Sequence, residues 1–182
     1  MSLVVLLGGA RSGKSRLALR LAARWDGPVT FVAMAEARDD EMADRVTRHR
    51  AERPAAWTTV EEPIALDAAL ARTPADACVV VDCLALWVSN LLERGLGPDE
   101  CERAAAAAAA TAAARAATTI VVSNEVGLGI VPATPLGRGY RDVLGLVNQI
   151  WVSEADAAAL VVAGRALRLD GTDWLQEVTH GR

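Results

Sequence analysis

Leu3-Val4-Val5-Leu6-Leu7-Gly8-Gly9-Ala10-Arg11-Ser12-Gly13-Lys14-Ser15 decides how the rest of the chain is read. Five consecutive aliphatic residues predict a buried strand, and residues 15–25 predict a helix with Leu17, Ala18 and Leu21 along one face. Between them, Gly8-x4-Gly13-Lys14-Ser15 has the spacing of a phosphate loop in the context that loop requires, strand before and helix after. Its glycines let successive backbone N–H groups turn toward phosphate oxygens, and the helix N-terminus adds partial positive charge. Lys14 reaches the terminal phosphates and Ser15 can ligate magnesium. The stretch therefore predicts binding of a nucleoside triphosphate. Of the 19 Lys and Arg residues only Lys14 is a lysine, so a chain that otherwise writes Arg keeps a slim ammonium here.

Outward from this stretch, short aliphatic runs alternate with Gly/Asp/Asn loops and helix-like segments, the pattern of an α/β fold with a mostly parallel sheet and flanking helices. Residues 29–34, 57–60, 78–81, 118–123 and 158–163 read as strands, with 166–169 as a paired edge strand. Helices are expected at 39–53, where Pro54 ends the segment, and at 64–71, 84–93, 99–117 and 140–157. The alanine-rich run in 99–117 is low in complexity but strongly helix-forming. The 39–53 helix has a thin apolar stripe, Met42, Ala43 and Val46, and a basic C-terminal half with Arg45, Arg48, His49, Arg50 and Arg53, which predicts weak packing. Residues 127–139 read as a long functional loop. The segment 170–182 carries no clear pattern.

At 182 residues, residues 1–182 are expected to form one nucleotide-binding domain. The composition is 52% hydrophobic and 4% aromatic, which suits a core of Ala, Val and Leu. A net charge of -4 argues against a nucleic-acid or anionic-membrane partner and favours small molecules. Cys78, Cys83 and Cys101 form no close pair and read as core residues. No apolar run reaches spanning length and no signal-like segment is visible, so a cytoplasmic protein is expected.

Asp82 ends the 78–81 strand, where a carboxylate either supports magnesium beside a phosphate loop or caps the next helix. Asn124 and Glu125 end another strand on the same expected edge, where ligands gather in open α/β sheets. His49 has two readings: a solvated residue on a charged helix, or an imidazole kept neutral by its arginines and able to attack phosphorus.

Taken together, Gly8 to Ser15, Asp40-Glu41-Met42, Arg45-Val46-x-x-His49-Arg50-x-x-Arg53-Pro54-x-x-Trp57-x-Thr59-x-Glu61, Val88-Ser89-Asn90-Leu91-Leu92, Ser123-Asn124-Glu125-Val126-Gly127-Leu128-Gly129-Ile130-Val131-Pro132, Tyr140-Arg141-Asp142 and Val147-Asn148-Gln149 resemble the bifunctional adenosylcobinamide kinase/adenosylcobinamide-phosphate guanylyltransferase family. The resemblance implies a phosphate-loop NTPase of RecA-like type, a homotrimer and two reactions. In the first, ATP or GTP phosphorylates adenosylcobinamide. In the second, GMP passes from GTP to adenosylcobinamide phosphate through a guanylyl-histidine, for which His49 is the nucleophile by position. It further implies nucleotide contacts at Gly8, Gly9, Ala10, Arg11, Ser12, Gly13, Lys14 and Ser15, at Ala33, Met34 and Ala35, at Arg50, Ala51, Glu52 and Arg53, and at Glu61 and Asp82. Ser15 and Asp82 would hold magnesium. Two positions depart from relatives: Met34 replaces a frequent hydroxyl residue, and Asp82 is shorter than the Glu some relatives carry.

Overall fold

In the computed structural model, which describes residues 2–36, 44, 47, 50–51, 53–169 and 171, the strands form one seven-stranded sheet in the order β3-β2-β4-β5-β1-β6-β7. The strands are β1 (Leu3–Leu7), β2 (Val29–Ala33), β3 (Thr58–Glu61), β4 (Cys78–Asp82), β5 (Thr119–Val122), β6 (Ala157–Val162) and β7 (Arg165–Leu169). The helices are α1 (Lys14–Ala22), α2 (Leu66–Arg72), α3 (Leu84–Glu93), α4 (Pro98–Ala113) and α5 (Pro135–Ser153). All neighbours pair in parallel except β6 and β7, which form an antiparallel hairpin. Strands β2, β4 and β5 are almost wholly buried, which is why they read as unbroken aliphatic runs with no alternation.

Several boundaries differ from the expected ones for identifiable reasons. Helix α1 stops three residues early because the chain turns there, Arg24 N–H donating to Leu21 O and Trp25 N–H to Ala22 O. Helix α2 begins later because the Glu62 carboxylate accepts the N–H groups of Ile64 and Ala65 before the helix proper. Helix α4 ends at Ala113, short of 117. The Arg115 guanidinium there turns back to the carbonyls of Leu70, Thr73, Pro74 and Ala77, and Ala117 N–H donates to Ala75 O. The interior face of α4 carries Cys101, Ala105, Ala108, Ala109 and Ala112, so its alanines let α2 and α5 pack close.

Helix α5 starts at Pro135, inside the segment expected to be loop. Thr134 caps it by accepting Gly137 N–H, and Pro135 supplies the fixed φ of a first turn. The helix ends at Ser153 because Asp156 is already engaged with β1, its carboxylate accepting Leu3 N–H at 2.8 Å. Of the expected 39–53 helix, Asp44, Thr47, Arg50 and Ala51 are helical, and its other residues before Arg53, including His49 and Glu52, lie outside the described residues, as do His180 and nearly all of the tail. Arg53 is not helical. No helix among the described residues is long and apolar enough to cross a membrane.

Candidate nucleotide site

The phosphate loop leaves β1 at Gly8 and enters α1 at Lys14. Gly13 has φ +97 and Arg11 φ +56, left-handed conformations that turn the loop back on itself. A side chain at Gly8 would meet the Val161 carbonyl, whose oxygen lies 2.5 Å from where a Cβ would sit. The loop is tied to its neighbours at both ends: Glu125 N–H donates to Gly8 O at 3.1 Å, and Gly164 N–H, from the β6–β7 turn, donates to Ser12 O at 2.8 Å. Lys14 is only 7% exposed and its Nζ donates to Gly9 O at 3.0 Å, so the ammonium is folded over the loop it serves.

Beside the loop, at the carboxyl edge of the sheet, opens a cleft of about 220 Å³. Lys14, Ser15, Ala33, Ala35, Arg53 and Asp82 face it, bringing together six of the residues expected at the site from four separate segments. Strand β4 lies between β2 and β5, which puts Asp82 beside the loop although 67 residues separate it from Ser15. Ser15 and Asp82 thus offer a hydroxyl and a carboxylate to one space, the oxygen donors that magnesium takes along with phosphate oxygens and water.

Met34 does not face the cleft. It is fully buried, and its carbonyl accepts Asn90 Nδ2 at 2.8 Å, so both side chain and carbonyl are committed to the core. Arg50 and Glu61 form an exposed ion pair at 3.6 Å near the rim, and Ala51 is exposed. The Arg53 guanidinium sits 3.9 Å over the Phe31 ring and donates from Nη1 to Thr59 Oγ1 at 3.1 Å. Burial and the neighbouring Arg50 lower its pKa, while Asp82 and Glu61 oppose that shift. Its cation is therefore held against an aromatic wall of the cleft.

Other walls were not singled out by composition or spacing: Phe31, Cys83, Ala85, Leu86, Ser89 and Tyr140. Ser89 and Tyr140 fall in segments that carry the family resemblance, which is the signal that could have marked them. The Tyr140 hydroxyl donates to Ala85 O at 3.1 Å, and burial, with Cys83 close by, pushes its pKa up to about 12. Burial and the Asp82 carboxylate push the Cys83 thiol up to about 12 as well, so it lines the cleft as a small neutral group. Asn124, expected at this edge, does face the cleft; Glu125 instead turns its carboxylate to Gly127 N–H.

A family model described as cobinamide kinase / cobinamide phosphate guanyltransferase matches residues 4–169. The chain is 44% identical over 169 residues to the bifunctional adenosylcobalamin biosynthesis protein CobP of Pseudomonas aeruginosa, covering 92% of this chain and 96% of that protein. It is 37% identical to the bifunctional adenosylcobalamin biosynthesis protein CobU of Salmonella typhimurium, covering 92% and 99% respectively. Among solved structures it is similar to an ATPase from the type III secretion system of pathogenic bacteria, with a TM-score of 0.56 at 12% identity, over 98% of this chain and 61% of that one. A second solved ATPase domain gives a TM-score of 0.50 at 12% identity, over 100% and 73%. The two ATPases share the fold, a phosphate-loop sheet of RecA-like type.

Proposed function

The chain belongs to the cobinamide kinase / cobinamide phosphate guanyltransferase family, and from that premise we propose how one cleft serves both transfers. The protein is a kinase and a nucleotidyltransferase of adenosylcobalamin biosynthesis, with GTP and ATP as substrates. In the kinase step the terminal phosphoryl group of ATP or GTP moves to the aminopropanol hydroxyl of adenosylcobinamide, leaving the nucleoside diphosphate. In the second step adenosylcobinamide phosphate takes GMP from GTP, giving adenosylcobinamide-GDP and pyrophosphate.

The observation that carries the assignment to this cleft is the convergence of Lys14, Ser15, Arg53 and Asp82 beside the phosphate loop. Backbone N–H groups of residues 8–15 cradle the phosphates, Lys14 neutralises charge on the terminal ones, and Arg53 meets the nucleotide from the Phe31 side. Ala33 and Ala35 leave room along the β2 end, and Arg50, Ala51, Glu52 and Glu61 complete the nucleotide contacts. Ser15 and Asp82 would hold magnesium, which would neutralise charge on the phosphates.

His49 is the nucleophile of the guanylyl transfer in this reading. Displacement at the α-phosphate forms an Nimidazole–P bond and expels pyrophosphate. The acceptor phosphate then breaks that bond, so one difficult transfer becomes two. The reading also takes residues 1–182 as one domain, the enzyme as a homotrimer, and the cytoplasm, which holds the nucleotide pools, as its compartment. Exposed Leu128, Ile130 and Leu136 favour a subunit contact.

Supplying adenosylcobinamide with ATP, and adenosylcobinamide phosphate with GTP, in separate assays tests the two activities. Turnover of both is expected. Turnover of the phosphate alone would remove the kinase half, and turnover of neither would remove the assignment.

A further inference from the structure

Three buried polar side chains in this fold have a purely structural duty. Thr73 and Arg115 serve the carbonyls at the end of α2, and Asn90 bridges Met34 O and Pro63 O. Ser123 and Asn148 differ, because their hydrogen bonds lead into the cleft. Ser123 is fully buried and donates from Oγ to Asn148 Oδ1 at 2.6 Å; Asn148, on α5 and 5% exposed, donates from Nδ2 to the main-chain oxygen of Asn124 at 3.0 Å. On either side the main chain is pinned as well, Ser123 N–H to Leu6 O at 2.9 Å and Glu125 N–H to Gly8 O at 3.1 Å. Residue 124 is thus clamped to α5, to β1 and to the first glycine of the phosphate loop.

Two hydrogen-bonding side chains buried between a sheet and a helix occupy space where aliphatic groups would pack without any polar group to satisfy. A fully satisfied network of this kind fixes one geometry. What it fixes here is Asn124, which lines the same cleft as Lys14, Ser15 and Asp82 and whose side chain makes no hydrogen bond among the described residues. A neutral amide between a cation and a carboxylate can donate to a phosphate oxygen without disturbing the charge balance that Lys14 and Asp82 set.

We propose that Asn124 donates its side-chain N–H to an oxygen of the phosphoryl group in transfer, and that Ser123 and Asn148 are positioning residues that aim it. The proposal rests on the cleft being the transfer site. Because the donor is needed where charge develops, it acts on turnover more than on nucleotide affinity.

The test is a double-mutant cycle on the full chain with Asn124→Ala and Asn148→Asp, measuring kcat and KM of both transfers together with thermal melting. Asp at 148 still accepts from Ser123 but cannot donate to the Asn124 carbonyl. Asn124→Ala is expected to lower kcat about a hundredfold with KM for nucleotide little changed, the scale on which loss of one oriented donor acts. Asn148→Asp is expected to lower kcat in the native background and to add nothing once Asn124 is Ala. Undiminished kcat in Asn124→Ala overturns the proposal, as does an Asn148→Asp effect that is equally large in both backgrounds. Asn124→Ala leaves the buried Ser123–Asn148 pair in place, so it decides the matter even if Asn148→Asp does not fold. Native protein that performs neither transfer contradicts the reading of the cleft, a result distinct from either of these.

Discussion

Lys14 concentrates the chemistry of the site into one side chain. It is nearly buried, hydrogen-bonded to Gly9 O, and the sole lysine of an arginine-rich chain. A planar guanidinium is broader than an ammonium and cannot fold over the loop in the same space, so Lys14→Arg is expected to abolish GTP binding in calorimetric titration despite its unchanged charge. Near-native affinity would contradict the steric account. Cys78, Cys83 and Tyr140 make a second residue-scale prediction. Burial raises their pKa values to about 11, about 12 and about 12, so the fold favours their protonated forms. Their contribution to stability is complete below their ordinary values, about 8.5 for the thiols and about 10 for the phenol, and is lost as pH rises toward 12. Urea midpoints should fall steadily above pH ~9, and Cys78→Val should shallow that fall; a flat profile would refute it. Lys14, Ser15 and Asp82 were legible in sequence because each sits at a fixed offset from a strand or helix end. Phe31 was not, and Ser89 and Tyr140 only through the family segments they sit in, since the strand order alone brings β2, α3 and α5 to one cleft.

At the scale of elements, the β6–β7 hairpin serves as a brace for the phosphate loop. Its turn has Ala163 at φ +49 and Gly164 at φ +75, a pair of left-handed residues that matches the twist of the strands and aims Gly164 N–H at Ser12 O. Proline at 164 removes that donor and cannot adopt the φ, whereas asparagine keeps both. Gly164→Pro is expected to weaken GTP binding about tenfold or more and Gly164→Asn to leave it close to native, on the scale of one lost hydrogen bond with added strain. Equal affinities would show that the brace is dispensable. Arg115 plays a comparable part between α4 and the end of α2, donating to four carbonyls. Arg115→Ala should destabilise the fold by about 3 kcal/mol in urea unfolding, because carbonyls partnered by a charged donor are left unsatisfied. Strands were readable to within a residue, β1, β2, β4 and β5 because buried parallel strands are continuous aliphatic runs. Helix ends were less so: the Arg115 staple, the Asp156 contact with Leu3 and the Trp25 Nε1 bond to Asp76 O beyond α1 are tertiary events that no local propensity encodes. The start of α5 was encoded, by Thr134-Pro135, but the nearby glycines pointed to a loop.

For the molecule as a whole, a small sheet protein with Leu128, Ile130 and Leu136 between 78% and 98% exposed has apolar surface to cover. The proposed homotrimer predicts that light scattering gives three times the chain mass, and that Ile130→Asp lowers it without loss of secondary structure. A monomeric native protein would refute the trimer. The family assignment is legible in dispersed motifs, and the sheet order brings Lys14, Ser15, Arg53, Ser89, Asn124 and Tyr140 from them to one cleft. The central claim is that this cleft performs a guanylyl transfer as well as a kinase reaction. Incubation with GTP labelled at the α-phosphate, followed by denaturation, tests it most directly. The account predicts a protein-bound label that is acid-labile, base-stable, discharged by adenosylcobinamide phosphate and absent from His49→Ala. Absence of any adduct with magnesium present, or an undiminished adduct in His49→Ala, would contradict it.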